Sequence, residues 1–313
     1  MVHVIADVGG TNIRLAAVSG PMEVAAKRLM AGDFRDSRSY KWKQIKNVDT
    51  AIRSFQEELN LPEKLSGLTL AIAGPVLEHM NEFKLTNWGE PFSRQQLTKH
   101  SRNVKIINDF AAQAAIIPLL TEQDLDVLKP GLVQPGARAV LGPGTGLGVA
   151  GLAANGQVLS GEGGNVTAPY FPGVPWSVLE APVPSGRLRA EDVFSGQGLE
   201  NIYFAKTGSK LAAENISAAA HNGDESALSA MSVFFDFAAV LCSDQALQYG
   251  AAGGVYLVGA IMLKNRKLIN QKRFAQQFCN IRTHETFLAD IPVYQVTKAT
   301  SGLAGVAAYV SAC

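Results

Sequence analysis

Residues 2–18 read VHVIADVGGTNIRLAAV, which is the pattern of a strand, a glycine turn and a second strand. The two apolar runs enclose a polar turn that holds a carboxylate, two glycines, a hydroxyl and an amide. The same pattern returns at residues 137–154 as ARAVLGPGTGLGVAGLAA. The repetition predicts two related domains, each built around a strand–turn–strand unit.

The segments outside the two hairpins alternate between strand and helix patterns. Residues 68–74 (LTLAIAG) and 105–110 (KIINDF) are apolar strands, and residues 111–120 have the composition of a helix. Further along, residues 226–250 predict a long helix and residues 253–261 a buried strand. This alternation predicts an α/β fold with layered helices and sheets. Because no low-complexity linker occurs, we expect the chain to cross directly between domains near residue 110.

The composition is that of an ordinary globular protein and argues against partners bound through a large net charge. The chain has 313 residues, 47% of them hydrophobic, and its 28 basic and 27 acidic residues give a net charge of +1. This balance argues against nucleic-acid or membrane-surface binding. The uncharged stretch from Gln245 to Leu263 is interrupted by glycines and predicts buried core rather than a membrane span.

The cysteines predict a reduced protein. Cys242, Cys279 and Cys313 are far apart in sequence and form no CxxC pair, which disfavours both a disulfide framework and a thiolate zinc site. Free thiols are typical of the cytoplasm, where we expect the protein to be located.

The two glycine turns are candidate phosphate-binding loops. At Gly9 and Gly10 the backbone N–H groups can approach a phosphate closely, Thr11 can add a donor, and Asp7 could hold a hydrated Mg²⁺. The second turn offers Gly144 and Thr145, so that two turns could clamp one triphosphate. The alternative is a plain hairpin turn with a polar tip. The GxGxxG match in the second hairpin is weak, because a strand rather than a helix follows it.

Two further polar groups stand out. Asn108 and Asp109 close a buried strand, where a fixed carboxylate is suited to act as a general base. The alternative function of Asp109 is to cap the following helix. Residues 161–166, GEGGNV, hold Glu162 between glycines and place an amide, Asn165, after them.

These motifs occur in the order and at the spacings of one family. The chain is similar to bacterial glucokinases, which belong to the actin–hexokinase–sugar kinase group, and the resemblance covers nearly its whole length. The motifs that carry it are DVGGTN (7–12), AIAGPV (71–76), LTN (85–87), IINDF (106–110), GPGTGLG (142–148), GEGG (161–164), AEDVFSGQGL (190–199) and GGVYLVG (253–259).

The resemblance implies a fold, a reaction and a set of partners. It implies two ribonuclease-H-like α/β domains around a central cleft: a small one of residues 1–110 with 300–313, and a large one of residues 111–299. It also implies phosphorylation of glucose at the 6-hydroxyl with ATP and Mg²⁺, in a homodimeric enzyme. A kinase for another hexose or an amino sugar is the nearest alternative. A sugar-binding sensor on the same fold is the alternative from another class.

The resemblance assigns roles residue by residue. Asp109 would accept the proton of the 6-hydroxyl, and Asp7 would hold Mg²⁺ through water. The remaining sugar contacts would come from Asn87, Asn108, Glu162, Asn165 and Glu191. The nucleotide contacts would come from Gly9, Gly10, Thr11, Asn12, Gly144, Thr145 and Gly259.

The chain departs from the family at Asn165, where a histidine usually follows the two glycines. An amide keeps a donor and an acceptor but lacks the reach and charge of an imidazole. One interpretation is drift at a tolerant position. The other is a changed sugar preference, or weaker glucose binding with poorer discrimination at carbon 2 of the sugar. In that case Asn165→His should tighten glucose binding and sharpen the discrimination. The bare backbone beside Glu162 is expected to let the sugar ring come close.

Overall fold

The computed structural model of the protein describes residues 1–85, 90–170, 179, 187–281, 283–298 and 302–312. The chain divides into two compact units. The first comprises Met1–Leu119, Gly156–Ser160 and Thr300–Cys313, and the second comprises Leu120–Asn155 and Gly161–Ala299. The first unit therefore extends beyond residue 110 and keeps the helix that begins at Asp109, because that helix packs on elements of the first unit.

The first unit is built on a five-stranded sheet in the order β3-β2-β1-β4-β7. Neighbours β3/β2 and β2/β1 are antiparallel, whereas β1/β4 and β4/β7 are parallel. Since Val8 pairs with Ile72 and Ile72 pairs with Asn108, the carboxyl ends of the three parallel strands meet at one edge of the sheet. The strands of this unit are β1 (His3–Val8), β2 (Asn12–Val18), β3 (Ser37–Lys41), β4 (Gly67–Ile72), the short pair β5 (Glu82–Phe83) and β6 (Phe92–Ser93), and β7 (Val104–Asn108).

The helices of the first unit cover this sheet with apolar faces. Val48, Ile52 and Phe55 recur at helical spacing and are fully buried. The helix at the end of the chain, Gly302–Ala312, packs against the helices Met22–Met30 and Asp109–Ile116. The α-helices of this unit are Met22–Met30, Val48–Glu58, Arg94–Leu97, Asp109–Ile116 and Gly302–Ala312.

The second sheet has six strands in the order β11-β10-β9-β12-β13-β8. Its central hairpin, β9 and β10, is the predicted second strand–turn–strand unit, paired antiparallel from Pro143/Leu147 onward. The strands are β8 (Leu125–Lys129), β9 (Arg138–Pro143), β10 (Leu147–Leu152), β11 (Val158–Gly161), β12 (Val255–Leu257) and β13 (Val293–Val296). The α-helices are Ala190–Val193, Gly196–Thr207, Ala213–His221, Glu225–Tyr249, Ala260–Asn265, Gln271–Cys279 and Glu285–Asp290.

The helix Glu225–Tyr249 is the core helix of the second unit. It begins with an Asp224 side-chain cap on the Ala227 N–H and ends at Gly250. In the described part of the chain it is the one helix long and apolar enough to cross a membrane by length and composition, but Phe234 and Phe237 on it are completely buried in the protein. Its apolar composition therefore follows from burial in the core.

One sequence prediction needs correction in this unit. The predicted strand over residues 253–261 is shorter, because β12 ends at Leu257 and a helix begins at Ala260. The stretch from Gln245 to Leu263 spans the end of a helix, a strand and the start of another helix; its strand is buried, whereas Gln248, Gly250, Gly259 and Ala260 are exposed. The thiols of Cys242 and Cys279 are free, and Cys313 lies outside the described residues.

Candidate active site

The first glycine turn lies at the carboxyl end of β1 and is held in place by hydrogen bonds from Trp42, the residue that follows β3. The Gly9 N–H donates to the Asn12 carbonyl at 3.0 Å and closes the turn. Trp42, which follows β3, donates its indole N–H to the Gly9 carbonyl at 2.8 Å and its backbone N–H to the Thr11 carbonyl at 3.2 Å. With these carbonyls occupied by Trp42, the exposed tip at Gly10 and Thr11 is a rigid loop suited to a phosphate.

Asp7 precedes this turn in a confined position. Burial raises the pKa of its carboxyl group, and Arg14, at 3.4 Å on the paired strand, opposes that rise. A Cβ on Gly302, at the start of the final helix, would lie 2.4 Å from the carboxyl carbon of Asp7, so this contact requires a glycine. The Asp7 carboxylate therefore meets the amino-terminal end of a helix, where negative charge is favoured.

Asp7 is suited to a magnesium ion whose remaining ligands are oxygens of water and of substrate phosphates. Among the described residues, no group of three or more His, Cys, Asp or Glu side chains could hold a metal ion. Mg²⁺ prefers oxygen ligands and commonly keeps waters and substrate phosphates around one or two carboxylates. The turn beside Asp7 fits that arrangement, with a single carboxylate contributed by the protein.

Asn108 and Asp109 lie at the same edge of the first sheet, and the cap of the following helix is not Asp109, as the alternative interpretation had it. Asn108, not Asp109, is the N-cap: its Oδ1 accepts from the N–H groups of Phe110 (2.8 Å) and Ala111 (3.3 Å). The Asn108 Nδ2 donates to the Gly74 carbonyl at 3.0 Å. Asp109 is the first helical residue, half-buried, and it accepts from the Phe110 N–H at 2.9 Å.

The second glycine turn forms the matching feature of the second unit. The Gly144 N–H donates to the Gly146 carbonyl at 2.8 Å, and the Gly144 carbonyl accepts from the Gly196 N–H at 2.8 Å. Gly144 and Thr145 are exposed at the tip between β9 and β10. Gly259 is also exposed and directly precedes the helix Ala260–Asn265. These residues are therefore open to a ligand on the second unit.

The loop GEGGNV begins at the end of β11 and packs closely on β10. Two of its glycines, Gly163 and Gly164, lie at this contact. A Cβ on Gly164 would lie 2.1 Å from the Leu147 carbonyl oxygen, and one on Gly163 would lie 2.7 Å from the Val149 Cβ. Around Gly161, by contrast, the space for a Cβ is open. The two glycines after Glu162 thus serve a close approach between loop and strand, which differs from the expected approach of a sugar ring.

An acidic cluster surrounds this loop. Burial, and the charge of Glu191, raise the pKa of Glu162. One carboxylate oxygen of Glu191 accepts from the Leu147 N–H at 3.4 Å, and the other lies 2.5 Å from Nη1 of Arg189. The same Nη1 donates to Oδ1 of Asn165 at 3.0 Å. The cluster therefore presents two carboxylates, an amide and a guanidinium on one unit.

The structure brings the predicted residues into two groups. Asp7, the turn after it, Asn108 and Asp109 share one edge of the first sheet, and Glu162, Asn165 and Glu191 form the cluster of the second unit. Asn87 lies outside the described residues. Sequence reasoning missed Arg189 and Trp42. Neither contact carried a signal, because Trp42 acts on the Gly9 turn and Arg189 on Asn165, which are 33 and 24 residues away in sequence.

Comparison with known proteins gives a consistent result. The family model described as Glucokinase matches residues 4–313. The chain is 32% identical to a glucokinase of Chromohalobacter salexigens, over 96% of this chain and 95% of the relative.

Two solved structures have a similar fold. The crystal structure of a glucokinase from an Antarctic psychrotroph has a TM-score of 0.80 and 29% identity, covering 98% of both chains. A glucokinase from Balamuthia mandrillaris, solved in complex with glucose, has a TM-score of 0.79 at 22% identity, over 98% of this chain and 93% of the other. The α/β fold observed here is thus the two-domain fold of the actin–hexokinase–sugar kinase group.

Proposed function

The chain belongs to the glucokinase family, and we propose that it phosphorylates glucose at the 6-hydroxyl with Mg-ATP as the phosphoryl donor. The observation that carries this proposal is the shared sheet edge of the first unit. There the carboxyl ends of β1 and β7 place two features at the same edge of the sheet: the glycine turn suited to a phosphate, and Asp109. Phosphoryl transfer needs these two elements, because charge must be held while a base orients the nucleophile.

Asp109 is proposed as the base. Since Asn108 caps the helix, the Asp109 carboxylate is not needed as the cap. It would accept the proton of the 6-hydroxyl as that oxygen bonds to the γ-phosphorus and the bond from this phosphorus to the β,γ-bridging oxygen breaks, with ADP as the leaving group. The cap also occupies the Asn108 oxygen, and one amide N–H donates to the Gly74 carbonyl, so we propose that Asn108 contacts the sugar hydroxyl next to the 6-hydroxyl through its remaining amide N–H.

The remaining contacts are proposed by group. Glu162 and Glu191 accept hydrogen bonds from sugar hydroxyls, with Asn165 beside them and Asn87 at the sugar side. Mg²⁺ bound near Asp7 would supply charge neutralisation for the phosphates when it is present. The phosphates and adenosine would be held by Gly9, Gly10, Thr11, Asn12, Gly144, Thr145 and Gly259.

The test is Asp109→Asn, which keeps the shape of the side chain and removes its basicity. We expect turnover to fall roughly 10²–10⁴-fold, because general-base catalysis is worth that much. The dissociation constant for glucose, measured by calorimetry, should change little. Asp126→Asn removes the same charge from the exposed face of β8 and serves as the matched control. Turnover close to wild type in Asp109→Asn would contradict the assignment.

A second candidate function is phosphorylation of another hexose or of an amino sugar, and Asn165 is the feature that favours it. A coupled assay of ATP consumption against a panel of hexoses separates these kinases. A sugar sensor on the same fold would bind a hexose without consuming ATP. A cytoplasmic location and a homodimer remain predictions, to be checked by cell fractionation and by sedimentation.

A further inference from the structure

A short antiparallel pairing places Arg189 beside the loop of Glu162 and Asn165. Thr167 bridges Arg189, the Ala168 N–H donates to the Leu188 carbonyl at 2.9 Å, and the Ala190 N–H donates to the Val166 carbonyl at 2.8 Å. Because successive strand residues point to opposite faces, this register fixes which side chains meet across the pairing. Arg189 and Asn165 are thereby held as neighbours although they are 24 residues apart.

The Arg189 guanidinium joins three side chains. Its Nε and Nη2 donate to the two oxygens of Asp192 at 3.1 and 2.7 Å, in the two-pronged geometry that arginine favours with carboxylates. Its Nη1 points to both Asn165 Oδ1 and Glu191 Oε1, at 3.0 and 2.5 Å. Asp192 therefore anchors the guanidinium, while Nη1 serves the two groups proposed to face the sugar.

This contact settles the orientation of the Asn165 amide. Arginine carries only donors, so the atom facing it must be the amide oxygen. Among the described residues, the amide Nδ2 donates to no partner. The side-chain oxygen of Asn165 is therefore occupied by Arg189, and the side chain offers a ligand its N–H donors.

Arg189 also offsets part of the negative charge of the carboxylate pair Glu162 and Glu191. Glu191 raises the pKa of Glu162 by its charge, so the two carboxylates are close enough to repel. Arg189 places a positive charge directly on Glu191. With Arg189 in place, the cluster suits a sugar hydroxyl, which donates to a carboxylate and accepts from the amide of Asn165. Without it, two uncompensated carboxylates would suit an ammonium group.

We propose that Arg189 is a positioning residue that makes this cluster select a neutral hexose over a protonated aminohexose. It does so by turning Asn165 into a donor and by neutralising one carboxylate of the pair. The proposal rests on the proposed function of the site as a hexose-binding cluster. It assigns the selectivity to a side chain outside the motifs that carry the family resemblance.

The experiment compares Arg189→Met and Arg189→Lys with wild type, using glucose and glucosamine at a pH where the amine is protonated. In Arg189→Met the KM for glucose should rise roughly tenfold to a hundredfold, because a charge-assisted hydrogen bond is lost. The ratio of kcat/KM for glucose to that for glucosamine should fall at least about tenfold. The KM for Mg-ATP should stay within about twofold, a split that general loss of structure would not produce.

Arg189→Lys separates the two effects. Lysine keeps the charge but lacks the fork that reaches Asp192 and Asn165 together. The discrimination against glucosamine should therefore persist while the KM for glucose rises. Arg187→Met is the matched control, since among the described residues Arg187 donates to the backbone carbonyl of Asn165, at 3.0 Å, and not to its side chain. We expect its selectivity to equal that of wild type.

Distinct outcomes overturn distinct claims. An unchanged glucose-to-glucosamine ratio in folded Arg189→Met contradicts the role of Arg189. Equal rises in KM for glucose and Mg-ATP contradict it as well, because they indicate a structural defect. If wild type phosphorylates another neutral hexose instead of glucose, the glucose assignment falls, and the same ratio measured with that hexose decides the role of Arg189. A wild type that prefers glucosamine contradicts both.

Discussion

Glu162 shows how a neighbouring charge sets the working range of a binding residue. Its carboxyl group has a raised pKa because of burial and because Glu191 is near. Only the ionised form is a pure acceptor for sugar hydroxyls. Its ability to bind sugar should therefore decline, as pH falls, at a higher pH than for an ordinary glutamate.

This predicts an acid-side loss of glucose affinity. As pH falls through the raised pKa of Glu162, protonation converts an acceptor into a donor and the KM for glucose should increase. Glu191→Gln removes the neighbouring charge, which lowers the pKa of Glu162, so the midpoint of the loss should move to lower pH. The measurement is the KM for glucose against pH in both proteins, with circular dichroism to show that they stay folded. A midpoint that does not move, or moves to higher pH, would contradict the coupling.

Single residues also show what the sequence could and could not predict. Asp7, Asn108 and Asp109 were predicted as site residues because each stands where an apolar strand ends, which is a local signal. The assignment of the cap was open, since Asn and Asp are both good caps, and the structure decided for Asn108. Arg189 was missed because its partner Asn165 is distant in sequence and only the pairing of residues 166–168 with 188–190 brings them together.

At the scale of elements, the packing of the GEGGNV loop on β10 gives a sharp prediction. Gly164→Ala would place a Cβ 2.1 Å from the Leu147 carbonyl oxygen, whereas Gly161→Ala meets open space. We expect Gly164→Ala to lower the free energy of unfolding by about 1–3 kcal/mol, as overpacking does. The displaced loop would also carry Glu162 away and raise the KM for glucose.

Gly161→Ala is the matched control for this change. It adds the same methyl group three residues earlier, so its unfolding midpoint in urea should stay near that of wild type. If both variants unfold at the wild-type urea concentration, the loop does not depend on its contact with β10. If both are equally destabilised, a backbone conformation of the loop that disfavours a Cβ, rather than the close approach to β10, is the reason for the glycines.

Elements were predictable where the pattern was strong and local. The duplicated hairpins are present as β1/β2 and β9/β10, and the long helix at Glu225–Tyr249 matches its prediction closely. The apolar run at 253–261 was misassigned beyond Leu257, because a short buried run looks alike as strand or helix. The reason for Gly163 and Gly164 was invisible in sequence, because the atoms that exclude a Cβ belong to another strand.

At the scale of the whole molecule, the proposed site residues are divided between the two compact units. Asp7, Thr11 and Asp109 belong to the first, and Thr145, Glu162 and Glu191 to the second. If one sugar uses residues of both units, glucose alone should slow amide hydrogen exchange in each. We expect protection at the start of the helix Asp109–Ile116 and in the loop at residues 162–165.

The measurement is hydrogen–deuterium exchange by mass spectrometry with and without saturating glucose. Mg-ATP alone should instead protect the turns at residues 9–12 and 144–146. Mannitol, an open-chain polyol of similar size, controls for a general solute effect. Protection by glucose that is confined to one unit would contradict the division of sugar contacts proposed here.

The final helix, Gly302–Ala312, has a consequence for synthesis on the ribosome. Leu303, Ala304 and Val306 are buried in the first unit, whose other residues up to Leu119 are translated much earlier. Until the final helix leaves the exit tunnel, the apolar faces of the helices Met22–Met30 and Asp109–Ile116 lack their partner. The second unit is contiguous except for residues 156–160, so it can gather its core first. We therefore expect the first unit, which holds Asp109, to complete its core only after this helix has emerged.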